Sequence, residues 1–259
     1  MARRDQANAL RYEPMKPATR RKSGFWQRVT RVLRWSFYLL LLLVLLDVGY
    51  LAWIWPDWQS YQQGPIQRST FIRDYEADQR LNPDWPELGW NPVALNRIPK
   101  NMVRAVIVAE DSRFYSHGGV DWEALADAMQ YNLARGRFVY GGSTISQQTA
   151  KNLFLNASRN PLRKWHELVL TLAMEHHLSK RRIMEHYLNV AQFGHGLFGV
   201  DAAARRYWGI PASRLSRRQA IELAASLPSP VTTNPAARNR TFLNRVNKIS
   251  RHFRKWASN

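Results

Sequence analysis

Apolar residues follow two rhythms along this chain. Over residues 35–55 they are nearly continuous, with 38–46 unbroken and Asp47 as the one charge. At about 1.5 Å rise per residue, this run reaches on the order of 30 Å, enough to cross the hydrocarbon core of a bilayer. A transmembrane helix is therefore predicted over 35–55, with Trp35 and Trp55 at its ends. Beyond residue 100 the apolar positions recur at three- and four-residue steps, the spacing of half-buried helices.

Local signals divide that second region. Asp121 opens a stretch carrying Trp122, Leu125, Ala126, Met129 and Leu133, and Gly136 ends it. Ser143 or Thr144 can cap a run through Leu155, and Pro161 can open a long helix through Leu178. Ser179 caps the next, carrying Ile183, Tyr187 and Leu188, and Gly194 and Gly196 break it. Two more follow over 198–207 and 216–227. The last, from Asn239, sets Phe242, Val246, Ile249, Phe253 and Trp256 on one side, with Arg240, Arg245, Lys248, Arg251, Arg254 and Lys255 around them. That helix fits a membrane surface or an ordinary closing helix on the core equally well. Residues 56–100 contain Pro56, Pro65, Pro83, Pro86, Pro92 and Pro99, which reads as a stalk over 56–86 and an irregular approach to the domain. No sustained two-residue alternation occurs, so the fold class is mainly α.

Charge adds orientation. The chain has 38 Lys and Arg against 19 Asp and Glu, a net charge of +19, and no cysteine, which excludes a disulfide scaffold and a thiolate metal site. Residues 1–34 form a basic tail containing Arg3, Arg20, Lys22, Arg31 and Arg34. The positive-inside bias keeps this tail in the cytoplasm and sends residues 56–259 across the membrane. A cleaved signal peptide is the competing reading, but no small-x-small cleavage pattern follows the apolar run. The exported part is itself basic, which suits an anionic substrate and anionic lipid head groups. Nucleic acid is disfavoured as a partner, because the most basic segment is the cytoplasmic tail and the domain is exported.

Three polar clusters can carry chemistry. EDSRFYSHGGVD, residues 110–121, follows the apolar VRAVIVA, and a carboxylate leaving an apolar element can gain a raised pKa and serve as an acid or base. GGSTISQQTAKNLFL, residues 141–155, offers backbone N–H groups and hydroxyls to an anion at a helix start, but lacks the spacing of a nucleotide phosphate loop. RKWHELVLTLAMEHHLSKRRIMEHYLN, residues 163–189, places Glu167 one turn from Arg163, the spacing of an ordinary helix ion pair. His166-Glu167 does not complete a zinc-protease motif, because Leu170 stands where the second histidine is needed. His176 and His177 point to different faces and do not form a ligand pair.

In order and over about residues 87–230, these clusters resemble the peptidoglycan glycosyltransferase family, the polymerising module of class A penicillin-binding proteins and of monofunctional biosynthetic transglycosylases. The shared pattern is ED-x-x-F-x-x-H from Glu110, GGST-x-x-QQ-x-x-KN from Gly141, RK-x-x-E from Arg163, K-x-x-I-x-E-x-YLN from Lys180, and AA-x-x-Y-x-G ending at Gly209. No Ser-x-x-Lys motif of penicillin binding occurs, so the monofunctional members are the nearer match. Trp208 stands where Phe is more usual, and Asn156 and Asn160-Pro161 depart from the family pattern between Lys151 and Arg163.

The resemblance implies a lysozyme-like, two-lobed helical domain over residues 87–259 that polymerises lipid II onto a nascent glycan strand. In that scheme Glu110 is the general base and Glu167 assists at the donor pyrophosphate. Lys151, Arg159 and Arg163 form its cationic clamp, and Asp111, Phe114, His117, Thr144 and Gln148 shape the cleft. No metal-ligand set or cofactor is required by the sequence, with Mg²⁺ or Mn²⁺ on the pyrophosphate left open. The expected location is the bacterial inner membrane, with a periplasmic domain. Membrane lipids are expected partners, with Phe138, Val139 and Tyr140 as candidates to dip into them, and cell-wall synthesis or division proteins are further ones. Two rivals stand: a lytic enzyme of similar fold that cuts glycan strands, and a membrane-anchored scaffold without catalysis.

Overall fold

The computed structural model describes residues 24–137, 141–158 and 160–257. They fall into two units, divided after Trp53. The first is a single helix, α1 (Gly24–Trp53), in which Trp26–Trp53 is long and apolar enough to span a membrane by length and composition. It begins well before residue 35 because Arg28, Arg31 and Arg34 are good helix formers and extend the same cylinder. Trp35, Leu40, Leu45 and Trp53 are all exposed, an apolar surface that suits lipid. Such a helix is consistent with a single-pass membrane anchor.

The second unit holds α2 (Trp58–Gln63), α3 (Thr70–Leu81), α4 (Lys100–Glu110), α5 (Trp122–Arg135), α6 (Ile145–Phe154), α7 (Pro161–His177), α8 (Lys180–Val190), α9 (Val200–Trp208), α10 (Arg217–Ser226) and α11 (Arg240–Ala257). Three very short strands, β1 (Gly89–Trp90), β2 (Gln192–Gly194) and β3 (Leu197–Phe198), form a sheet in the order β1-β3-β2. β1 runs parallel and β2 antiparallel to β3. Mainly helical architecture is what the sequence pattern predicts.

Sequence punctuation accounts for most helix ends. Asp121 accepts the Ala124 N–H at the start of α5, and Gly136, at φ +60°, closes it in the left-handed region. Thr144 and Gln147 form a capping box on α6, Asn160 caps α7 ahead of Pro161, and Ser179 caps α8. The apolar VRAVIVA is helical despite its β-branched residues. Met102, Ala105, Val106 and Ile107 all point into the core from α4, and tertiary burial overrides local propensity there.

The stretch 56–86 corrects the stalk reading. Trp58 and Tyr61 of α2 are buried with their rings edge-on to Phe154 of α6, at 5.6 and 5.0 Å between centroids, and Trp58 stacks on His177. From α8, Arg182 Nε and His186 Nε2 both meet the Tyr61 carbonyl, at 2.7 and 2.8 Å. Burial holds the His186 imidazole at about 4, so the ring is neutral. Ile72 and Tyr75 of α3 pack with Phe198. Prolines here bound two short helices instead of dissolving them, and the segment is part of the domain.

The core is layered around α4. Ala220, Leu223, Ala224 and Ala225 of α10 are buried against it, and the alanines let the two helices approach closely. Phe242, Ile249 and Phe253 of α11 then close the layer, each side chain worth about 1.5–3 kcal/mol on burial. The C-terminal helix is thus a closing helix whose apolar face is spent on the core.

Candidate active site

Glu110 is the last residue of α4, where Asp111 leaves helical geometry at φ −161° and ψ 80°. Asp111 then turns back into the protein and fixes the loop. Its Oδ2 accepts the Ile145 N–H at the start of α6 (3.0 Å), and both its oxygens meet His117 Nε2 at 3.0 and 3.1 Å. The Gly119 N–H donates to His117 Nδ1 (3.2 Å), so the ring proton sits on Nε2, facing Asp111. Gly119 needs its freedom: φ is +100°, and a Cβ there would lie 3.0 Å from both Glu175 Cγ and Thr171 Cγ2. Its carbonyl accepts the Thr144 hydroxyl at 2.6 Å. Phe114, fully buried, lies under the loop with the Lys180 ammonium 4.6 Å from its ring centre.

The Glu110 side chain is 12% exposed. Gln148 Nε2 donates to its Oε2 (3.0 Å), and Tyr187 OH donates to Gln148 Oε1 (3.2 Å), which fixes the amide orientation. Arg245 Nη2 of α11 lies 3.2 Å from Oε1. Burial pushes the Glu110 carboxyl above the usual range. The Gln148 hydrogen bond and Arg245 oppose that, the Asp111 charge adds to it, and Lys151 opposes it. A carboxyl raised in this way holds its proton more tightly than an ordinary glutamate and is a candidate for proton transfer.

The second carboxylate, Glu167, is 3% exposed on α7 and fully engaged. Arg163 Nη1 donates to Oε2 at 2.7 Å, and Lys164 donates to Oε1 while also reaching Ser143 Oγ at 3.3 Å. Arg163 Nε is buried without a hydrogen-bond partner among the described residues. Lys151, one turn beyond Gln148 on α6, lies 5.7 Å from the Phe71 ring centre. Burial pulls its pKa down, Glu167 raises it, Arg163 and Lys164 lower it, and Glu110 raises it. One ammonium therefore feels both glutamates.

Two hollows flank this group. One, of about 370 Å³, is lined by Gln148, Lys151, Asn152, Arg163, Tyr187 and Phe198 among others. The other, of about 190 Å³, is lined by Glu110, Asp111, Asp121 and the loop Gly141, Gly142, Ser143 and Thr144. A larger hollow of about 860 Å³ beside Trp90, His195 and Tyr207 contains neither glutamate.

Among the sequence candidates, Gln148, Lys151 and Arg163 line the first hollow, Glu110 lines the second and bonds to Gln148, and Glu167 is paired to Arg163. Asp111 and Thr144 also line the second hollow, and with His117 they hold the 111–121 loop to α6 above the buried Phe114. At the start of α6, where the sequence suggests an anion cradle, three of the N–H groups are already committed within the protein. The Ile145 N–H goes to Asp111, the Gln147 N–H to Thr144 Oγ1, and the Thr144 N–H to Gln147 Oε1. Arg159, Phe138, Val139 and Tyr140 lie outside the described residues. Asp111, His117 and Asp121 bring ligand atoms within 4.8 Å of one another, the spacing a metal ion would need. Their acceptors are already in use, however: Arg113 holds both Asp121 oxygens, at 2.9 and 2.5 Å. Sequence reasoning missed Lys164, which adjoins Arg163 in the motif, and Arg245, which no motif marks.

Comparison with known proteins agrees with this geometry. The transglycosylase family model matches residues 87–254. A biosynthetic peptidoglycan transglycosylase of Laribacter hongkongensis is 40% identical over 221 residues, covering 85% of this chain and 96% of the relative. Proteins of the same description from Azoarcus sp. and Aromatoleum aromaticum are 44% and 46% identical, covering 79% and 76% of this chain and 86% of each relative. The chain belongs to the transglycosylase family, and its domain is the lysozyme-like helical module of that family.

Proposed function

We propose that this peptidoglycan glycosyltransferase polymerises lipid II into β-1,4-linked glycan strands, with Glu110 as the general base. The observation that carries the reading is a buried, raised-pKa carboxyl hydrogen-bonded to Gln148, which lines one hollow together with Lys151 and Arg163. Glu110 takes the proton of the acceptor's 4-hydroxyl as that oxygen attacks C1 of the donor MurNAc. The new O4–C1 bond forms while the C1–O bond to the α-linked undecaprenyl pyrophosphate breaks, so the configuration inverts to β. General-base help of this kind contributes about two to four decades in rate.

Negative charge grows on the departing pyrophosphate, and preorganised cations meet it. Arg163, whose Nε has no hydrogen-bond partner among the described residues, and Lys151 are the groups that would do so, with Arg159 as a third. Glu167 acts through Arg163 and Lys164, holding both cations in place. No metal is assigned to Asp111, His117 and Asp121, since protein donors occupy their oxygens. A divalent cation would instead accompany the substrate's pyrophosphate.

The reading places the domain in the periplasm, the tail in the cytoplasm and α1 in the inner membrane, where a lipid-linked substrate must be met. Exposed Trp122 and Leu133 on α5 and Leu162 and Trp165 on α7 support membrane lipids as a further partner. Cell-wall synthesis or division proteins are proposed as macromolecular partners, and nucleic acid is not. The test is purified full-length protein with labelled lipid II in detergent, with products resolved by size. Long lysozyme-sensitive strands are expected. Untouched lipid II together with shortening of preformed strands would establish the lytic reading in its place.

A further inference from the structure

The Glu110 carboxylate is held between two elements remote in the chain. Gln148 of α6 donates to one oxygen and Arg245 of α11 to the other, at 3.0 and 3.2 Å. Arg245 is fixed at a second point, because its Nε donates to the Ala225 carbonyl near the end of α10 at 3.1 Å. The planar guanidinium therefore spans from α10 to the carboxylate, with two N–H groups committed in one rigid fork. The rotation of α11 is set by Phe242 and Ile249, buried three residues before and four residues after Arg245, which share its face. Arg240, Arg251 and Arg254 of the same helix are exposed, whereas Arg245 turns inward.

We propose that Arg245 is a positioning residue for the reaction, keeping the Glu110 carboxylate ionised and oriented so that the closing helix forms part of the catalytic apparatus. This rests on the polymerase reading, in which Glu110 must be ionised to accept a proton. The charged and titratable groups around Glu110 make the need clear. Asp111, next to it on the chain, favours the neutral acid. Lys151 from α6 favours the carboxylate but makes no hydrogen bond to it among the described residues. Tyr187 from α8 reaches it only through Gln148. Among the described residues, Arg245 is the one full positive charge bonded to the base.

The test measures kcat and KM for lipid II against pH, with full-length enzyme in detergent. The variants are Arg245→Gln, Arg245→Met and Arg245→Lys, with Arg251→Gln as an exposed control on the same helix. A melting temperature is taken for each. Losing the charge moves the acid limb of kcat to higher pH. Activity on that limb falls by about tenfold or more, and the deficit narrows as pH rises, because an adjacent arginine shifts a carboxyl by about a unit or more. KM changes little, Arg245→Lys recovers most of the limb, and Arg251→Gln matches wild type. A uniform loss across pH with the limb unmoved overturns the proposal. So does unaltered activity, or failure of both uncharged variants to fold while the lysine variant folds, since each would leave Arg245 a structural role or none. A wild-type enzyme that left lipid II unchanged would contradict the polymerase reading instead.

Discussion

Replacing Asp111 tests whether the loop beneath Glu110 is held as described. Its carboxylate is 3% exposed and receives the Ile145 N–H and the His117 Nε2–H, all at 3.0–3.1 Å. Asp111→Ala removes the acceptor for both donors and leaves them buried. Hydrogen bonds to a charged group are worth about 1.5–3 kcal/mol each, so the loss of two is about 3–6 kcal/mol. For a domain of this size each kcal/mol lowers Tm by about 2–4 °C, giving a fall of roughly 10 °C. Asp111→Asn keeps the shape, but its single carbonyl oxygen serves as acceptor and its amide turns donors toward donors, so it falls between wild type and alanine. Differential scanning fluorimetry in detergent measures the series, and lipid II polymerisation follows in the same order because Glu110 is the neighbouring residue. An alanine variant within about 1 kcal/mol of wild type, or an asparagine variant worse than alanine, would refute the reasoning.

Lys151→Met should lower kcat/KM by about 10²–10³, the usual effect of losing one preorganised donor at developing charge, with the melting temperature held or raised. Stopped assays on lipid II check it. Trp58→Ala should cost about 3–5 kcal/mol, because its ring is packed on Phe154 and His177, whereas a residue in a stalk would cost nothing measurable; thermal melts decide. The pH–rate profile of the wild type should show its acid limb above the ordinary glutamate range. Glu110 binds its proton more tightly in the folded protein, so the base is lost as pH falls through that raised value. The same shift means that fold stability declines as pH rises from the unfolded to the folded pKa of Glu110. Glu110→Gln removes that slope in a pH series of melts.

Much of this was legible in the chain because local signals agreed with tertiary ones. Helices α5 to α8 begin where Asp121, Thr144, Asn160-Pro161 and Ser179 allow, and the motifs marked both glutamates together with Lys151 and Arg163. The segment 56–86 misled because proline frequency reports where helices stop. Trp58, Tyr61, Ile72 and Tyr75 were the better signal, since buried aromatic and β-branched side chains need a core. At the start of α6 a sequence cannot show that Asp111, 34 residues earlier, takes the Ile145 N–H. Arg245 was illegible for a related reason. It is one of several cations on α11, and only the docking of Phe242 and Ile249 turns it toward a carboxylate 135 residues away.

The central claim is that Glu110 is the base of a lipid II polymerase, and one comparison tests it most directly. Wild type and Glu110→Gln, purified full length and matched for melting behaviour, are incubated with labelled lipid II and the products resolved by size. The account predicts long lysozyme-sensitive strands from wild type and a loss of about two decades or more in the variant. Polymerisation by the glutamine variant within a few-fold of wild type would contradict it.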